Sequence, residues 1–249
     1  MSRSRNHRQP EPVGGGMDNL FGDLRLGTLW PAPRGTRRTR ATSLQAATEY
    51  TGRLGWSVAV GTTGPGRPRA ATGCACAAPY CAAPGLHDTV GPELPAGTAV
   101  PELAARCTAG APLLLPAGRT FDVLDVPAQP GLQALVRLER MGTQVGPVLA
   151  APTGRMLFFV APGTAGQLPE LLYRMGWDDA ALDLVCHGAG SYVAAPPTVL
   201  AGLGPMRWLR RPCRESAVRP PEARLLLGTL AYACHRSRAR TAEPAWLAS

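Results

Sequence analysis

"FDVLDVPAQPG", residues 121–131, is the stretch on which the reading of this chain turns. Its first six residues are mostly apolar and partly β-branched, which predicts a strand over 121–126, and Pro127 predicts its end. The run carries two carboxylates, Asp122 and Asp125. Acids displayed at the end of a buried strand can hold a catalytic metal ion, so the stretch raises the question of a metal-dependent site. A strand alternates its faces, and residues three apart point to opposite sides. Asp122 and Asp125 are therefore expected on different faces.

Outward from this strand, "GLQALVRLERMG" predicts an amphipathic helix with Leu132, Leu135, Leu138 and Met141 on one face. "GPVLAAP" and "RMLFFVAPG" read as two strands joined by a Pro-Thr-Gly turn. A helix over "LPELLYRMG", strands at "LDLV" and "SYVAAPP", and an edge strand at "MRWLRRP" follow. "PEARLLLGTLAYACHRSRAR" predicts a closing helix whose basic end suits the dipole. Upstream, a strand at "PLLL", a short helix at "PELAARC" and a strand at "WSVAV" precede the opening stretch. Thr42 and Gln45 resemble a capping box, starting a helix that carries Leu44, Ala47, Tyr50 and Leu54. Strands and helices mix without strict alternation, which predicts an α+β class.

Glycine and proline together occupy 55 of the 249 positions, so short elements and many turns are expected. There is no lysine and no isoleucine. A GC-rich codon bias explains both, which discounts the number of arginines as a sign of nucleic-acid binding. Their placement says more. Residues 1–40 carry a net charge of +5, residues 207–249 carry +6, and residues 41–206 carry −2. Basic ends can hold phosphates or an anionic surface, or can simply be solvated tails. The expected organisation is a basic tail over 1–40, an ordered domain over 41–212 and a basic C-terminal helix or tail over 213–249. "MDNLFGDLRL" also reads as a beginning, which makes Met17 a candidate start beside Met1. No apolar run approaches the roughly 18 residues that span a bilayer. Nor does the N-terminus show a secretory signal, so a soluble cytoplasmic protein without a membrane partner is expected.

The long loop over 61–98 holds "CACAAPYCAAPGLH", which places Cys74, Cys76, Cys81 and His87 in a C-x-C-x4-C-x5-H array. Three thiolates and an imidazole this close can share one tetrahedral zinc ion, and such an ion would staple a loop rich in Pro and Gly. With all four positions used, the zinc would be structural. Unrelated buried thiols, a redox pair and a disulfide are the alternatives, the last disfavoured in a reducing compartment.

The order of these motifs resembles the N-terminal domain of bifunctional DNA primase/polymerases, the prim-pol branch of the archaeo-eukaryotic primases, over roughly residues 43–212. "AATEYTGRLGWSVAV" is similar to the family's opening helix and strand, and the Cys-rich loop to an insertion in many bacterial members. "VLDVPAQPG" resembles the strand bearing the metal-binding Asp-x-Asp. "LDLVCHGAGSYVAAPPTV" resembles the segment in which a third aspartate precedes a Gly-rich turn, and "MRWLRRP" trails it as an aromatic strand does in the family. The resemblance implies an RRM-like palm, a mixed β-sheet flanked by helices, with the Cys/His-rich zinc loop as an insertion. It also implies a nucleotidyl transfer that uses two Mg²⁺ or Mn²⁺ ions on clustered carboxylates.

Several positions depart from that pattern. Asp125 stands at the first motif acid and Asp183 at the third, but Pro127 replaces the second. Thr153 and Gly154 fit the family's Ser-Gly-Gly-x-His block, while Leu157 stands at the histidine that contacts the nucleotide's phosphates; Arg155 remains as a phosphate partner. Losing charge stabilisation costs on the order of 2.7–4 kcal/mol per group, so two losses leave little polymerase activity. The structural alternative for Asp125 and Asp183 is a pair of turn-bonding aspartates. "HGAGSY" reads either as a phosphate loop or as a tight turn, His187 as a turn histidine, and Trp177-Asp178-Asp179 as surface or capping chemistry. Three functions follow: a primase/polymerase with reduced ligation, a module that binds DNA or nucleotide without chemistry, and an inert scaffold that meets a helicase or other replication partner through its basic ends. The retained pair of acids favours the second.

Overall fold

A computed structural model describes residues 36–61, 80–87, 90–108, 111–200 and 202–242. A five-stranded sheet organises them, built from β3 (Asp122–Pro127), β4 (Val148–Ala151), β5 (Arg155–Val160), β6 (Val185–His187) and β10 (Arg207–Arg210) in the order β10-β4-β5-β3-β6. A second sheet joins β1 (Ala59–Val60), β2 (Leu113–Pro116) and β7 (Tyr192–Ala195) in the order β1-β2-β7, and β8 (Val199–Leu200) pairs β9 (Gly204–Pro205). The α+β class holds. The expected mixed sheet does not, because every pairing among the described strands is antiparallel. The helical connections from β3 to β4 and from β5 to β6 each skip one strand, so parallel strands never become neighbours and every hydrogen-bonded pair is antiparallel.

Alternation along β3 and β5 separates two cores. On one face Phe121, Val123, Leu157 and Phe159 meet the small sheet and an aromatic cluster, with Trp56 packed 5.0 Å from Phe121 and 5.6 Å from Phe159 between centroids. On the other, Leu124, Val126, Met156 and Phe158 meet α3 (Ala128–Arg140), α4 (Thr164–Arg174) and α6 (Arg224–Ala242). Asp122 and Asp125 lie on opposite faces, as the three-residue spacing requires.

Four local expectations need correction. Helix α1 (Thr36–Thr48) begins before Thr42, so Thr42 and Gln45 sit inside the helix and form no capping box. The chain then continues as a π-helical turn over Glu49–Arg53, which seats Tyr50 in the core. In α3 the buried stripe is Gly131, Ala134, Leu135 and Leu138, whereas Leu132 and Met141 are 37% and 54% exposed. Gly131 presses close to Met156 and Val126, so the buried face is rotated to take in Gly131 and Ala134 with Leu135 and Leu138 and leaves Leu132 and Met141 outside. The strand expected at "LDLV" shifts to Val185–His187, and α5 (Arg214–Val218) was not anticipated. α2 (Val100–Arg106), the β4–β5 hairpin and the edge position of β10 match the sequence reading. No described helix is long and apolar enough to cross a membrane.

Candidate functional site

Antiparallel register assembles the site on the aromatic side of the large sheet. Asp125 opposes Leu157 on β5 and Val185 on β6, while Arg155 opposes Pro127 and His187 opposes Val123. Residues 123, 125, 155, 157, 185 and 187 thus share one face, and Asp183 precedes β6 by two residues. Four charged or polar side chains converge there, three from β3, β5 and β6 and one from the segment before β6.

They converge on Arg155. Its Nε donates to Asp125 Oδ1 at 2.7 Å, its Nη1 to Asp183 Oδ1 at 2.7 Å, and its Nη2 to the Asp125 carbonyl at 3.2 Å. The second Asp125 oxygen accepts from His187 Nε2 at 2.8 Å. The pair is nearly dry: the Arg155 side chain is 13% exposed and that of Asp125 2%. Burial alone would lower the pKa of the guanidinium, but Asp125 and Asp183 outweigh it and hold it above its ordinary value. Tyr80 covers the open side, with the Arg155 guanidinium 4.2 Å from its ring centroid. A hydrogen bond to Asp183 raises the Tyr80 phenol's pKa. Cys81, Ala82 and Pro84 roof Asp125, Thr153 and Arg155, and the space left among them is about 10 Å³.

As arranged, these residues do not fit a divalent ion. A guanidinium stands between the two acids, Pro127 offers no third carboxylate, and Leu157, fully buried, fills the motif histidine's position with hydrocarbon. Among the described residues no three His, Cys, Asp or Glu side chains converge as a metal-binding group. Thr153 and Gly154 form the β4–β5 turn, where Gly154 takes a φ of +81° and its carbonyl accepts from Ala128 N at 2.8 Å. Cys81 Sγ and His87 Nε2 touch at 3.1 Å, while Cys74 and Cys76 lie outside the described residues, as do Met1, Met17 and the start of the basic tail.

His187 and Tyr80 are the contributors that sequence reasoning misplaced or missed. His187 belongs to a strand and is buried against Asp125, not to a turn. The Gly-rich stretch after it is a tight turn in which Ser191 N donates to Gly188 O at 3.0 Å. Asp122 serves structure: its Oδ2 accepts from Ala165 N at 2.7 Å at the start of α4. Burial pushes its carboxyl pKa up, against the opposing amides of Ala165, Gly163, Gly118 and Thr164. Trp177 packs 5.5 Å from the His235 ring, and Asp178 and Asp179 face solvent.

No curated protein and no solved structure matches the chain. Residues 47–223, well over half of it, match the family described as bifunctional DNA primase/polymerase, N-terminal. That span takes in both sheets, the paired acids and the Cys81–His87 segment, so the resemblance of separate motifs becomes a match across one continuous fold. The chain belongs to the Prim-Pol family.

Proposed function

We propose that this chain is a Prim-Pol module of DNA replication that binds DNA or nucleotide and does not extend a primer. The observation that carries this reading is Arg155 between Asp125 and Asp183, each contact 2.7 Å. Two-metal transfer needs carboxylates free to neutralise ions at the attacking and leaving oxygens. Here a fixed monovalent cation neutralises them instead, and it supplies neither a Lewis acid nor an activated hydroxyl. Magnesium or manganese could reach Asp125 and Asp183 only if Arg155 withdrew. Thr153 borders the same space, and with Arg155 and the neighbouring turn residue Gly154 it would form the side from which a ligand phosphate approaches. Full chain incubated with primed template, dNTPs and Mg²⁺ or Mn²⁺ should give no extension while still binding DNA. Extension abolished by Asp125→Ala would defeat this reading.

A structural zinc belongs to the same proposal. Cys81 and His87 already touch, which is what two ligands of one ion must do, and Cys74 and Cys76 would complete the set. Metal analysis of the extension sample should find about one zinc per chain for a four-ligand site. In the second reading the fold is only a scaffold and a helicase or other replication protein is the partner; absence of DNA and nucleotide binding would favour it.

A further inference from the structure

The helical layer on the far side of the large sheet carries a charge that the mechanism does not use. α3 and α6 together hold Arg137, Arg140, Arg224, Arg236, Arg238 and Arg240 against one acid, Glu139, which pairs with Arg210 of β10. Codon bias can raise the number of arginines but cannot sort them onto one layer while residues 41–206 stay net acidic. Helix dipoles favour cations near helix ends, yet they act on each helix separately and do not bring two helices' cations together. That is what Tyr232 shows. It is 43% exposed, and the guanidinia of Arg137 on α3 and Arg236 on α6 each lie 5.8 Å from its ring centroid. Two like charges on one ring cannot stand further apart than twice that distance, comparable with the roughly 8–10 Å over which salt screens. Among the described residues neither arginine forms an ion pair. Like charges held together without a counter-charge present a site for a polyanion.

We propose that the α3–α6 surface around Arg137, Tyr232 and Arg236 is a docking site for the phosphodiester backbone of a nucleic-acid strand, on the face opposite the Arg155 cluster. This rests on the nucleic-acid-binding reading above and adds where the strand lies. The test titrates the full chain against a labelled single-stranded oligonucleotide at several salt concentrations, with unlabelled duplex as competitor. For Arg137→Ala with Arg236→Ala the log–log salt slope should fall by about 1.4, at about 0.7 per lost phosphate contact on a single strand. Affinity at low salt should drop about tenfold or more. Arg106→Ala with Arg53→Ala removes the same charge from exposed surfaces on the other side of the large sheet and should change affinity no more than about twofold. All four side chains are exposed, so circular dichroism should be unchanged in both variants. Equal losses in the two double variants would mean bulk charge alone and would overturn the site; so would binding that ignores Arg137 and Arg236. A wild-type chain that binds no strand at any salt would overturn the nucleic-acid reading itself.

Discussion

One guanidinium ties the two acids of this site together. Asp125 is almost fully buried, and a buried carboxylate that loses its cation is left with desolvation and no compensation. Arg155→Ala should therefore lower stability by about 3–5 kcal/mol, the usual cost of breaking a buried pair from one side. Arg53 makes the contrast. Its pair with Glu49 is exposed at 53% and 40%, so Arg53→Ala should cost under about 1 kcal/mol. Urea denaturation of the two variants checks this, and equal losses would show that Arg155 is not the anchor of the cluster. Asp125 and Asp183 were legible from motif position alone. The bridge between them was not, because it depends on β3 and β5 pairing Pro127 with Arg155. His187 was within reach: Asp183, Val185 and His187 share one parity, a period-2 signal hidden by starting the strand too early. Tyr80 had no signal at all, since a loop residue's partner is set by tertiary closure.

At the scale of elements, periodicity found helices and strands but judged their faces less well. Half of the expected stripe on α3, Leu135 and Leu138, is buried, but close packing rewards small residues where a helix presses on a sheet, and Gly131 and Ala134 take the inward places expected of Leu132 and Met141. α5 is only five residues long, too short for a helical period to register. Turns show the same limit. Gly118 and Gly142 look alike in sequence, and both take positive φ, +92° and +67°. A Cβ at Gly118 would meet the Ala189 backbone at 2.3 Å, where the β2–β3 and β6–β7 connections pass, whereas one at Gly142 meets nothing within 4 Å. Gly142→Ala should cost about 1–2 kcal/mol from its left-handed backbone. Gly118→Ala adds a clash with backbone, typically a further 1–3 kcal/mol. Denaturant midpoints that fall equally in both would refute the close approach.

For the molecule as a whole, the large sheet is the partition between two cores, and β3, like β5, is enclosed on both edges and both faces. β3 is hydrogen-bonded to β5 on one side and β6 on the other, and Val123, Leu124 and Val126 bury both of its faces. Family membership was readable because motif order survives the departures at Pro127 and Leu157. The closing of the site was not, because it needs three strands and a roof brought together from residues 80–187. The same enclosure sets how the molecule opens. Amides in β3 can exchange only when both cores separate, so their opening should approach global unfolding. β10 is an edge strand, paired only to β4 through a register shift between Trp208 and Arg210, with Leu209 exposed. Its amides should exchange by local opening, on the order of 100-fold faster than those of Val123 and Leu124. Hydrogen exchange followed by mass spectrometry measures the ratio. Equal protection in β10 and β3 would mean that the sheet opens as one unit and does not divide two cores.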